Sequence, residues 1–192
     1  VGLIQSLENV QYAFTRKIKS VQDLAYWDQL SALRLYSLQR RRERYIIIYV
    51  WKILEELVPN ISSSNSAICP ARLNKRIGRR CHVPPISTTS PKSIQTIRES
   101  SFSVMGPNLF NCLPRYLREL TKAECTAPQF KAKLDDFLST VPDQPLISGY
   151  TQYRQCQSNS LVHWLGNAHL RSRMEGSTQQ SCSGTLGGDP TF

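Results

Sequence analysis

Ser37-Leu38-Gln39-Arg40-Arg41-Arg42-Glu43-Arg44-Tyr45-Ile46-Ile47-Ile48-Tyr49-Val50-Trp51-Lys52-Ile53-Leu54-Glu55-Glu56-Leu57 is the stretch on which the fold turns. Ser37 is a good N-cap residue, because its hydroxyl can accept from a free amide of a first helical turn. Ile46, Val50, Ile53 and Leu57 recur at i, i+4, i+7 and i+11, and Ile47, Tyr49 and Leu54 widen that face. A second, looser stripe carries Leu38, Tyr45, Ile48 and Trp51. The spacing predicts a helix over 38–57, ended by Val58-Pro59-Asn60. A helix apolar on most of its circumference belongs in the centre of a bundle. Arg40, Arg41, Arg42 and Arg44 fall on its first two turns, where cations oppose the helix dipole, so they are expected to be exposed and to serve a contact.

Upstream, Leu3, Leu7, Val10, Phe14 and Ile18 predict an amphipathic helix with Arg16, Lys17 and Lys19 at its C-terminal end. Ser20 and Asp23 suggest the start of a second, with Leu24, Trp27, Leu30 and Leu33 to Leu35 inward. Downstream, 61–100 differs in composition. A Ser-rich linker leads into Arg72, Lys75, Arg76, Arg79 and Arg80, and Pro84, Pro85 and Pro91 exclude a long helix. Cys81–Ile86 and Ser93–Ile97 read as short strands, with room for a small hairpin.

A second helical group is expected over 101–147. Phe102, Met105, Leu109, Phe110 and Leu113 repeat at helical spacing, with a kink or break at Gly106-Pro107. Leu117 and Leu120 extend a short helix to Lys122, and Ala127-Pro128 opens another with Phe130, Leu134, Phe137 and Leu138 inward. Residues 148–192 read as a polar, largely disordered tail. The expected fold is therefore mainly α: a small helical bundle with helical segments at 1–60 and 101–147, a basic connector at 61–100, and the tail.

The 192 residues carry a formal charge of +10 at 40% hydrophobic content. That excludes a wholly disordered chain. The longest apolar run, Tyr45 to Trp51, is seven residues, too short to span a membrane. The excess charge is concentrated at 61–100, which holds seven basic residues against Glu99 alone, and in the arginine run. Clustered cations favour nucleic-acid phosphate through counterion release, and also suit acidic proteins. No signal-peptide pattern opens the chain, so reduced thiols in the cytosol or nucleus are expected. The chain begins at Val1 and its methionines are Met105 and Met174, so a piece of a longer protein is expected.

Catalytic signatures are weak throughout. The six cysteines lie 12, 31, 13, 31 and 26 residues apart with no C-x-x-C pair, and His163 and His169 are six apart, so buried or idle thiols outweigh a zinc site. Asp135-Asp136 superficially resembles a paired-aspartate magnesium site, yet helical neighbours point about 100° apart and Lys131 stands at i−4 of Asp135. A solvated helix face explains that pair and Glu55-Glu56 alike. No nucleophile elbow, P-loop or G-x-G-x-x-G occurs. Tyr45 beside Arg44, Tyr116 between Arg115 and Arg118, and Tyr153-Arg154 could stack on bases, but aromatics at helical spacing more often belong to a core. No catalytic residue, metal or cofactor is expected.

A series of short motifs does resemble a family. Leu7-Glu8-Asn9-Val10-Gln11 with Phe14-Thr15-Arg16-Lys17-Ile18 looks like the segment after the polymerase palm in reverse transcriptases of non-LTR (LINE-type) retrotransposons. Asp28 to Leu35, Ser37-Leu38, and Arg40 to Arg44 leading into Tyr49-Val50-Trp51-Lys52-Ile53-Leu54 are similar to that family's next elements. Ser101-Phe102, Gly106, Leu109-Phe110-Asn111 and Leu113-Pro114 follow, with Phe110 where the family carries Trp. Phe130-Lys131, Pro142-Asp143-Gln144-Pro145, Gly149-Tyr150-Thr151 and Ser158-Asn159-Ser160-Leu161 complete an order spanning about residues 3 to 165.

The resemblance implies the C-terminal region of an RNA-directed DNA polymerase, downstream of its palm. No position here corresponds to the family's endonuclease residues or palm aspartates, so the piece itself is expected to be inactive. It would hold RNA and DNA electrostatically through Arg40, Arg41, Arg42, Arg44, Arg72, Lys75, Arg76, Arg79 and Arg80, with the upstream polymerase domain of its parent as protein partner and no membrane role. The alternatives are a helical protein-interaction module and a decayed reading frame without a function of its own.

Overall fold

A computed structural model describes residues 2–60, 68–71, 78–145, 147 and 158–166, with only the backbone of 2–4. The described residues are mainly helical: α1 (Gly2–Thr15), α2 (Tyr26–Ala32), α3 (Leu38–Leu54), α4 (Lys92–Glu99), α5 (Phe102–Cys112), α6 (Arg115–Arg118), α7 (Ala127–Ser139) and a short helical segment at 161–166.

α3 is the central element. Ser37 caps it as its sequence predicts, accepting from Arg40 N at 3.1 Å. It ends three residues before the expected Leu57, where Glu56 enters the left-handed region at φ 57°. Ile47, Ile48, Val50, Trp51 and Ile53 are buried against α5, α6 and α7, in one core with Leu109, Phe110, Leu117, Phe130, Leu134 and Leu138. Trp51 stacks on Phe130 with ring centroids 4.5 Å apart and planes 9° from parallel, and its indole N–H donates to Leu120 O at 2.9 Å. Truncating either ring to Ala would cost on the order of 3–5 kcal/mol.

α5 runs unbroken through Gly106-Pro107, where a kink or break was expected, so the alternative of a break is excluded. The reason lies in packing. A Cβ on Gly106 would stand 2.8 Å from Val50 Cγ2, so the missing side chain lets the two helices approach closely, and the buried contact holds the turn around the proline. α7 begins at Ala127-Pro128 and buries Phe130, Leu134 and Leu138, as its pattern predicts.

Other details differ from the expectation. Ser93–Ile97, expected as a strand, lies inside α4, because Pro91 pre-sets the first turn (φ −52°) and Gln95 Nε2 ties the helix back to Thr88 O and Ser90 O. Pro70 and Cys81 form an isolated antiparallel bridge, flanked by Ala71 N to Arg80 O at 2.7 Å and His82 N to Cys69 O at 2.9 Å. Residues 158–166 are packed rather than tail-like, with Asn159 and Leu161 buried; 148–157 and 167–192 lie outside the described residues.

α1 differs as well. It stops at Thr15, and its apolar stripe faces outward: Leu7, Val10 and Phe14 are 60%, 68% and 67% exposed. Its inward face is Glu8, Tyr12 and Thr15. Polar partners explain the rotation. Glu8 accepts from Tyr26 Oη at 2.7 Å and from Leu38 N at 2.9 Å, and Thr15 Oγ1 donates to Gln29 Oε1 at 2.7 Å. The Ser20/Asp23 start is also displaced: 18–24 forms turns and α2 opens at Tyr26.

Candidate nucleic-acid interface

The basic residues of α3 divide by position around the helix. Arg40 is fully buried, against the expectation of exposure. Its Nη2 donates to Pro142 O at 2.8 Å and Asn159 O at 3.4 Å, while Nε and Nη1 make no hydrogen bond. Burial lowers its pKa, and the nearby charges of Asp143 and Glu43 oppose that. Around it the first turn of α3 is closed by side chains distant in sequence. Asp143 accepts from Ser37 N and Oγ at 2.8 and 2.7 Å, Asn159 Nδ2 donates to Asp143 Oδ1 at 2.7 Å, and Leu161 N donates to Glu43 Oε2 at 3.0 Å. With Glu8 on Leu38 N, these acceptors supply the negative charge that a helix N-terminus favours and the arginines do not.

Arg44 is also engaged internally. Its Nε and Nη2 lie 2.5 and 2.6 Å from the two carboxylate oxygens of Asp135 on α7, and that pairing raises its pKa. Asp135 thus turns to Arg44 and to Tyr36 Oη (3.2 Å) instead of resting on a solvated helix face. Arg41 is half-buried and Arg42 is exposed, with Arg42 Nη2 3.9 Å from Met105 Sδ on α5. Of the four arginines, Arg42 alone is exposed.

The connector behaves similarly. Arg79 sits 2.5 Å from Glu55 and donates to Leu54 O at 3.2 Å; Glu55 is buried and also accepts from Lys122 N at 2.6 Å, so the solvated-face reading holds for the exposed Glu56 and not for Glu55. Arg118, which sequence reasoning did not single out, is buried with Nε on Leu113 O (2.9 Å) and Nη1 on Arg79 O. Arg80 is exposed. Arg72, Lys75 and Arg76 lie outside the described residues.

The fold adds cations that their sequence positions do not connect. Lys52, two turns beyond Arg44, and Lys131 on α7 line one shallow groove on the outer side of α3. Helical spacing from Arg42 would have found Lys52; Lys131 arrives only through packing of α7 on α3. No family model, characterised protein or solved structure matches this chain. Among the described residues no group of three or more His, Cys, Asp or Glu side chains gathers as metal ligands do, and no helix is long and apolar enough to cross a membrane. Cys69, Cys81, Cys112 and Cys125 are free thiols; burial pushes Cys81 and Cys112 up to about 12, where the unreactive thiol form prevails.

Proposed function

We propose that this chain is a non-catalytic nucleic-acid-holding module from the C-terminal region of a non-LTR retrotransposon reverse transcriptase. The collinear motifs from Leu7 to Leu161 suggest the parent family. The observation that carries the binding role is the cation set Arg41, Arg42, Lys52 and Lys131 around α3, with Arg42 exposed and the other three half-buried. Such a set grips phosphate without reading sequence. In this reading Arg40, Arg44 and Arg79 hold the fold that presents the other cations, and the working compartment is the cytoplasm, the nucleus or both.

Titration of the chain with labelled RNA and duplex DNA at 50 and 200 mM salt tests the reading. About four phosphate contacts predict a log–log salt slope near −3 to −4 on duplex DNA. Arg41→Ala with Arg42→Ala should weaken both ligands equally. Absence of binding at 50 mM salt sinks the proposal.

The outward apolar face of α1 favours a second reading, a helical module that docks on another protein. In the retrotransposon setting that protein is the parent's polymerase domain. Leu7→Glu with Phe14→Glu should then abolish co-purification with that domain and leave nucleic-acid affinity intact. A cooperative melting transition would separate both readings from a decayed reading frame.

A further inference from the structure

Arg42, Tyr45, Tyr49 and Lys52 stand at i, i+3, i+7 and i+10 of α3, within about 80° of one another around the helix. The stripe reads cation, ring, ring, cation over about 15 Å of helix. Both rings reach solvent, Tyr45 at 59% and Tyr49 at 37% exposure. Phe102, the first residue of α5, meets Tyr49 edge-on with centroids 5.5 Å apart and is itself 37% exposed. These three rings, with Ile46, Ile48, Lys52 and Lys131, line a groove of about 460 Å³. Arg44 lies 5.5 Å over the Tyr45 ring from its Asp135 pairing.

The charge around the groove is one-sided. Glu43, the only acidic residue of α3, is buried on Leu161 N, and Asp135 is neutralised by Arg44. Exposed rings flanked by cations, in a groove that no carboxylate lines, leave bare apolar area unless a partner supplies both flat faces and negative charge. Duplex DNA supplies charge but keeps its base faces stacked; single strands supply both.

Resting on the nucleic-acid reading above, we infer that the Tyr45–Tyr49–Phe102 groove is a single-strand site. Unpaired bases stack on its rings while Arg42, Lys52 and Lys131 take the adjoining phosphates. Base stacking tolerates any sequence, so the site holds a strand without selecting it.

Fluorescence anisotropy on the full chain tests this with three 12-nucleotide probes: oligodeoxythymidine, the same backbone without bases, and a duplex. Oligodeoxythymidine should bind about tenfold tighter than the abasic strand. Tyr45→Ala should erase that advantage without changing abasic or duplex binding. Tyr45→Phe should retain it, and Tyr116→Ala, an equally exposed tyrosine elsewhere, should leave it unchanged. Equal affinity for the abasic strand, or equal losses in Tyr45→Ala and Tyr116→Ala, overturns the stacking site and leaves the phosphate reading standing. Absence of binding to all three probes overturns both. Displacement of oligodeoxythymidine by polyglutamate at equal charge concentration would assign the groove to an acidic protein and overturn the inference.

Discussion

Arg44 and Asp135, 91 residues apart, form a two-pronged ion pair at 2.5 and 2.6 Å that ties the second turn of α3 to the middle of α7. The guanidinium is 15% and the carboxylate 37% exposed, so the pair works in partial contact with water. A double-mutant cycle with Arg44→Ala and Asp135→Ala should therefore give a modest coupling, about 0.5–1.5 kcal/mol by denaturant unfolding. Additive losses would show that the pair does not join the helices.

Arg40 and Arg42 lie two residues apart and should behave oppositely. Arg40→Met removes the cation near Glu43 and Asp143 and should lower stability by roughly 3 kcal/mol or more. Arg42→Ala should leave the melting temperature within a degree or two and weaken nucleic-acid binding. Equal melting shifts for the two variants would contradict their assigned environments.

Gly106→Ala should cost about 1–3 kcal/mol, since its Cβ would press on Val50 Cγ2. Adding Val50→Ala should return part of that loss despite being destabilising alone. This sign reversal, read from thermal melts of the four proteins, distinguishes a steric contact between α3 and α5 from a general helix effect.

Glu43 is held above the ordinary carboxylate range by burial, opposed by its bond from Leu161 N. A carboxyl raised in the folded state binds its proton more tightly there than in the unfolded chain. Its protonation adds stability as pH falls through the folded pKa, and the gain is complete below about 4.5. Relative to Glu43→Gln, the wild type should therefore gain stability on acidification from pH 7 toward 4.5. Parallel stability–pH curves for the two would contradict the burial argument.

The helices that form the core were legible in the sequence because their apolar residues recur on one face at helical spacing. Trp51, Phe130, Leu134 and Leu138 had one face on which to be buried. α1 was misread for a related reason. Its stripe is clear, but the strongest partners belong to Glu8 and Thr15, and hydrogen bonds to Tyr26, Leu38 and Gln29 cannot be seen in a periodicity. The arginine run raised the same difficulty. Four neighbouring cations look alike in sequence, whereas the carbonyls of Pro142 and Asn159 that receive Arg40, and the carboxylate that receives Arg44, come from far along the chain. The groove around Tyr45 was half legible: Arg42, Tyr45, Tyr49 and Lys52 share a spacing, while Phe102 and Lys131 join them only through packing.

The closure of α3 by Asp143, Asn159 and Leu161 also orders events in time. During synthesis the amide that neighbours Glu43 follows it only 118 residues later. At about 5–20 residues per second that is a wait on the order of ten seconds. The central helix is thus begun well before it can be finished. Until then its first two turns hold a buried-type arginine and glutamate in water, and that end of α3 is completed only when Pro142, Asn159 and Leu161 close over it.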